Sequence, residues 1–160
     1  MNDKKIFIKG FDKKTICIVG IGNSLRSDDG VGSFVCQLME EKNPDEVTIM
    51  ISQQLDMGMT EDLSKFDTVI FVDASLAGET MSFKRLYLEN SQPQPQSFSH
   101  HINAATLAGL ATILYSTNTQ FYICAVGGNN FEMGNTLSEK TRNNALQTVS
   151  FLTEWIQLNR

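Results

Sequence analysis

The sequence predicts the α/β class, a largely parallel sheet covered by helices on both faces. Three observations carry that reading. Short β-branched, apolar runs alternate with segments whose apolar residues recur at helical spacing. That alternation supplies the crossover helices which buried parallel strands need to cover them. A chain of 160 residues can bury a substantial single core, so one domain is expected.

Residues 15–20, TICIVG, form the first strand, because they are short, apolar and rich in β-branched side chains. Val31, Phe34, Val35, Leu38 and Met39 then fall on one helical stripe, which Asn43 and Pro44 close. Residues 46–51 read as a second strand, followed by a polar, Met-containing connection and a brief helix over about 60–66. A third strand over 68–72 ends on Asp73. Residues 81–88 alternate as in a more exposed strand, and the Gln-, Pro- and Ser-rich stretch behind them is loop. From about Asn103, the residues Leu107, Leu110, Ala111 and Leu114 mark one face of a helix. Residues 121–126 are a further buried strand, and Gly127, Gly128, Asn129 and Asn130 form the turn past its end. Ser138 is a natural N-cap for a last helix striped by Ala145, Val149, Leu152, Trp155 and Ile156.

Composition narrows the function classes. Hydrophobic residues make up 41% and charged residues 19%, the balance of a soluble globular protein, and no apolar run is long enough to span a bilayer. The charged N-terminus lacks the apolar core of a signal peptide, which makes the cytoplasm the expected compartment. Cys17, Cys36 and Cys124 are odd in number and lack metal-type spacing; Cys17 and Cys124 lie in strand runs and read as reduced core residues. A net charge of −5 with no basic cluster excludes nucleic acid and suits a cationic partner or a metal ion.

The motif GIGNSLRSDDGVG, residues 20–32, sets Asp28 and Asp29 where the first strand hands over to the first helix. Ligands of open α/β sheets bind beyond the carboxyl ends of the strands, so an acidic pair there is a candidate site. The simpler alternative is an ordinary loop whose aspartates favour the helix N-terminus. Asp73 ends the third strand, and Ser99, His100 and His101 open the next helix. Parallel strands with right-handed crossovers bring these groups to one edge of the sheet. Two carboxylates and one imidazole form a ligand set suited to nickel or zinc with positions left open. Successive residues at a helix start point about 100° apart, so His100 and His101 cannot both address one point.

Other site chemistries fit less well. A dinucleotide fingerprint fails at Leu25, where a third glycine is needed, and no GxSxG elbow is present. An acid protease in which Asp28 or Asp29 shares a proton with Asp73 is a further alternative.

With these residues in place, the chain resembles the hydrogenase maturation endopeptidases, which trim a C-terminal extension from the large subunit of nickel-iron hydrogenases after the nickel is installed. Gly20, Gly22, Asn23, Leu25, Asp28, Asp29, Gly30 and Gly32 match the family signature GxGNxLxxDDGxG. VIFVDAS, residues 69–75, is similar to the family's second acidic segment, and SHHINAATLAGLA, residues 99–111, to its histidine-headed helix. GGNNFEMGNTLSEKT, residues 127–141, resembles its loop into the last helix. The departures are His101, where another residue is usual, and Asn103, where glycine is common.

The resemblance implies a three-layer α/β/α sandwich with a twisted, mostly parallel mixed sheet of about five strands. Residues 15–160 would form a single peptidase-like domain, and residues 1–14 an N-terminal segment with no assigned role. It implies Asp29, Asp73 and His100 as the catalytic and metal positions, with Asp28 fixing the loop and His101 beside the site or facing solvent. The implied partner is the large-subunit precursor, and the implied ion is nickel delivered within that substrate, a place that cadmium or zinc could also occupy. Two other functions would use the same residues: a nickel-sensing or chaperone-like module that inspects the large subunit without cutting, and a metal-independent acid protease.

Overall fold

The computed structural model describes residues 13–43, 45–76, 78–87 and 102–160. Five strands form one sheet: β1 (Ile16–Ile21), β2 (Thr48–Ser52), β3 (Thr68–Ser75), β4 (Met81–Leu86) and β5 (Gln120–Gly127). Their order is β2-β1-β3-β5-β4, with every neighbouring pair parallel except β4 with β5. Among the described residues four α-helices flank them, α1 (Val31–Lys42), α2 (Met59–Leu63), α3 (Ala104–Tyr115) and α4 (Glu139–Asn159). The result is the α/β sandwich with a mixed sheet expected of the sequence.

Strand alternation sorts the core into two layers. Ile16 and Ile18 of β1, Ile70 and Val72 of β3, and Cys124 and Val126 of β5 pack against α1 and α4 through Val31, Val35, Met39, Val149 and Leu152. Cys17, Val19, Val69, Phe71 and Phe121 face the other way, onto Leu63 of α2 and Leu107 and Ala111 of α3. Both layers include side chains with no exposure to solvent, and burying each large one contributes about 1.5–3 kcal/mol before the entropy of ordering it is counted. All three cysteines are buried, and burial pushes their thiols up to about 12, which leaves them inert core groups.

Several boundaries differ from the sequence reading for local reasons. β2 begins at Thr48 rather than residue 46, because the Glu46 N–H bonds the Asn43 carbonyl in the turn that closes α1. α2 stops at Leu63, short of residue 66; the Ser64 carbonyl is taken by the hydroxyls of Thr117 and Thr119 from the loop before β5. β3 does not end on Asp73 but runs two residues further, since Ala74 and Ser75 still pair with Val126 and Gly127. β4 ends at Leu86 instead of residue 88. On α3 the buried stripe is Leu107, Ala108 and Ala111, and Leu114 is 57% exposed. A short 3-10 helix, Ser27–Gly30, precedes α1 and had no counterpart in the sequence reading.

β1 sits between β2 and β3, and the chain leaves β1 toward β2 before returning across to β3. Strand order therefore reverses at β1, and the crevice beyond the carboxyl ends of β1 and β3 is where such a sheet binds its ligands. Among the described residues, no helix is long and apolar enough to cross a membrane.

Candidate active site

Glycines make the turn out of β1 possible. Gly22 has φ +129°, and a Cβ there would overlap the Asp29 carbonyl oxygen. At Gly32 a Cβ would stand 2.5 Å from the Ile21 carbonyl oxygen and 2.6 Å from that of Val72, so α1 can start this close to the sheet only without a side chain. The elbow is thus wrapped tightly on itself, and its two aspartates leave it in different directions.

Asp28 points into the protein. It is fully buried and accepts the backbone N–H groups of Asn129 and Asn130 at 2.9 Å each, and that of Ser138 at 2.7 Å. The hydroxyls of Ser138 and Thr141 donate to it as well, each at 2.8 Å. Burial alone would raise its pKa, but the donors of Asn129, Ser138, Asn130 and Thr141 outweigh that and hold the carboxyl at about 2. Ser138 is also the N-cap of α4, so one carboxylate ties the β1–α1 elbow to the start of the last helix. This loop-fixing role is the one expected for Asp28. It also corrects the alternative in which Asp28 shares a proton with Asp73, because both Asp28 oxygens are engaged elsewhere and Asp28 does not line the cleft described next.

Asp29 points the other way. It lines a cleft of about 630 Å³ together with Asp73, Ile21, Leu55, Ile123 and Asn103. Its Oδ2 accepts the Asn23 N–H at 2.8 Å, which fixes the carboxylate against the elbow. Asp73 shares the β3 face of Val69 and Phe71, and strand alternation thereby delivers it to the α2 and α3 side. Its Oδ1 accepts the Ala74 N–H at 2.8 Å. Burial pushes the Asp73 carboxyl up to about 6; the Ala74 N–H opposes that rise, and the charge of Asp29 adds to it. Among the described residues, one oxygen of each carboxylate has no hydrogen-bond partner. Two partly buried carboxylates with free oxygens in one cleft can hold a proton or a cation between them.

Of the three positions singled out for metal, the structure therefore brings Asp29 and Asp73 to one cleft. His100 and its neighbour His101 lie outside the described residues, and among the described residues no group of three His, Cys, Asp or Glu side chains is placed to hold a metal ion. The sequence reading missed the contribution of the β2–α2 loop, whose Gln53, Gln54 and Leu55 line the cleft. It also missed Asn103 as the N-cap of α3, accepting the Thr106 N–H at 2.8 Å. An Asn ahead of a helical stripe is the signal that would have found the cap.

No family model and no curated protein matches the sequence. The fold does match solved structures. HycI from Thermococcus kodakarensis KOD1, a NiFe hydrogenase maturation protease, superposes with a TM-score of 0.70 at 22% identity over 92% of this chain and 95% of that one. The hydrogenase maturating endopeptidase HybD from E. coli gives a TM-score of 0.67 at 19% identity, covering 89% of this chain and 92% of that one. The hydrogenase 2 maturation peptidase from Thaumarchaeota archaeon SCGC_AB-539-E09 gives 0.64 at 21% identity, covering 89% and 98%. The chain shares the fold of the hydrogenase maturation proteases over nearly its whole length.

Proposed function

We propose that the protein is a peptide-bond hydrolase of the cytoplasm that removes the C-terminal extension from the nickel-loaded large subunit of a nickel-iron hydrogenase. The observation that carries this reading is the meeting of Asp29, from the elbow after β1, and Asp73, from within the last residues of β3, in one cleft at the reversal point of the sheet. The fold shared with maturation proteases agrees with it, as does the match of residues 20–32 to their signature.

In this reading nickel arrives as part of the substrate. The free oxygens of Asp29 and Asp73 engage it, and we assign His100 as the third ligand, two residues ahead of Ile102, which lines the cleft. Two carboxylates and an imidazole leave coordination positions for ligands that the substrate supplies, which suits nickel as well as cadmium or zinc. The donor set fits electrostatically too. Burial makes Asp73 hard to ionise and the charge of Asp29 adds to the cost, and a divalent ion offsets both by replacing the proton. A nickel ion held by these residues would serve as the tag that identifies a loaded precursor, and Lewis acidity toward the carbonyl to be cut is the chemistry it would supply there. Asp28, held out of the cleft, keeps the elbow and hence Asp29 in position.

Incubation with nickel-loaded precursor, followed by mass spectrometry of the large subunit, tests the reading. Loss of the C-terminal peptide is expected with the wild-type protein, and none with Asp29→Asn, Asp73→Asn or His100→Ala. Processing by these variants at the wild-type rate overturns it. A stable complex whose mass never changes would make the protein a binding module, and cleavage of nickel-free precursor in the presence of chelator would make it an acid protease.

A further inference from the structure

The cleft that holds Asp29 and Asp73 is far larger than an ion needs. Its volume is about 630 Å³, whereas bonds to a metal of the nickel or zinc type are only about 2 Å long. Clefts of about 300–1,000 Å³ bury most of an organic ligand. Strand register sets what lines the remaining space. On the sheet face that carries Asp73, Ile123 of β5 stands opposite Phe71, two residues back from Asp73, and Leu86 of β4 stands opposite Phe121. Neighbouring strands lie about 4.8 Å apart and two residues rise about 7 Å, so Ile123 and then Leu86 step away from Asp73 across the sheet. Ile102, Ala104 and Ala105, at the start of α3, wall the same cleft. Ile123, Leu86, Ile102 and Ala104 form one surface, because all four are half-buried margins of the single core layer built on Phe71 and Leu107. The polar wall residues Gln53, Gln54, Asp29 and Asp73 come from the β2, β1 and β3 side instead. Asn103 is the exception, and its side-chain oxygen is taken by the Thr106 N–H.

We propose that the end of the cleft walled by Ile123, Leu86, Ile102, Ala104 and Ala105 is a specificity pocket. It takes an apolar side chain of the precursor from a residue flanking the bond that is cut. This deepens the reading of the cleft as the place of cleavage and rests on it. A bond cut at Asp29 and Asp73 brings its neighbours with it, since successive residues of an extended chain are only about 3.3–3.6 Å apart. Charge then decides which side chain fits. The only charged groups in the described wall are the two carboxylates. An acidic side chain would add a third negative charge, and a basic one would compete with the metal ion for the same oxygens. An uncharged polar side chain would lose its water against walls that offer it no partner. An apolar one covers surface that the fold leaves half-buried. Lys84, opposite Ile123 in register, is exposed and stands outside the wall.

The experiment uses nickel-loaded precursors in which each residue flanking the cleaved bond is changed in turn to alanine, leucine, phenylalanine or aspartate. The mass of the released peptide locates the bond. At one of the two positions, leucine should exceed alanine at least fivefold in kcat/KM and aspartate at least thirtyfold, within the range of about 10- to 200-fold that a methylene or so commands in an apolar pocket. Ile123→Phe should reverse the order of leucine and alanine, and Ile123→Ala should raise phenylalanine over leucine at least fivefold. A general loss of structure would lower all of these rates together. If Ile123→Phe does not fold, Ala105→Leu narrows the same space from α3, with an expected shift toward alanine of at least threefold. Cleavage with a flat profile at both positions, or with a preference that the folded variants leave unchanged, overturns the pocket and leaves the reaction intact. If wild type cuts no precursor, binding is measured with leucine or aspartate at each position of the C-terminal tail. Binding at least tenfold tighter with leucine at one position, lost in Ile123→Phe, keeps the pocket while the reaction falls; equal binding or none removes both.

Discussion

Asp28 and Asp29 are adjacent in the chain and opposite in their surroundings. Asp28 is sealed behind the elbow among five donors, whereas Asp29 opens onto a cleft that it shares with a second carboxylate. The same side-chain chemistry is thereby used twice. On the α1 and α4 side a carboxylate is stabilised in its charged form, down to about 2, and tightens the structure. On the α2 and α3 side the partner of Asp29, Asp73, is destabilised in that form, up to about 6, and the structure tolerates it. A group that a fold holds at a cost is a better candidate for chemistry than one it has fully satisfied.

Substitutions at the two places should therefore move stability in opposite directions. Asp28→Asn carries the largest expected effect. The lowered native pKa corresponds to about 2–3 kcal/mol of stability, and the amide would also set its own N–H groups against backbone donors. Calorimetry at pH 7 should show a fall in Tm of roughly 6–10 °C for a chain of this size. Because the folded-state value lies below the unfolded one, this stabilisation is complete above about pH 4 and fades as pH falls through about 2. The gap between variant and wild type should close over that range; a gap that stays constant with pH would remove the charge from the explanation.

Asp73→Asn comes next, with the opposite sign. Its raised folded-state value means that the folded protein pays for ionisation as pH climbs from about 4 through about 6. In metal-free protein the variant should be more stable than wild type by roughly 1–2 kcal/mol at pH 8 and equal to it near pH 3.5, since the amide still accepts the Ala74 N–H. Urea unfolding at the two pH values reads the difference. A variant less stable than wild type at pH 8 would place Asp73 among the structural carboxylates.

Ser138→Ala should give the smallest effect, about 1 kcal/mol. It removes the N-cap of α4 and one hydroxyl from Asp28, but the Ser138 backbone N–H stays in place. A loss beyond about 3 kcal/mol would mean that this hydroxyl, rather than the backbone donors, organises the Asp28 network.

The sequence made the scaffold legible wherever the signal was local. The run ICIVG could only be a buried strand, the Ser138 cap stands ahead of a clean helical stripe, and the glycines at positions 22 and 32 announce the elbow they permit. Long-range events were out of reach. β3 extends past Asp73 because β5 offers partners some fifty positions away, and α2 is cut short by threonines from the loop before β5. The separation of Asp28 from Asp29 was visible only as a difference of role. What enforces it, the N–H groups of Asn129, Asn130 and Ser138, lies more than a hundred positions downstream. At the cleft, Asp29 and Asp73 could be named from their strand ends, but the β2–α2 loop that completes the wall carries no composition to mark it.

The distance in sequence between Asp28 and its donors has a consequence for biosynthesis. The nascent chain makes the elbow about a hundred residues before the groups that lock it, residues 129 to 141, leave the ribosome. Among the described residues β4 pairs with β5 alone, so that edge of the sheet also waits for residues 120–127. Closing contacts of such separation is entropically slow and follows local structure. The carboxyl edge therefore matures after the strands that frame it, and a polypeptide stalled before α4 would carry the whole acidic motif without the clamp that aims it.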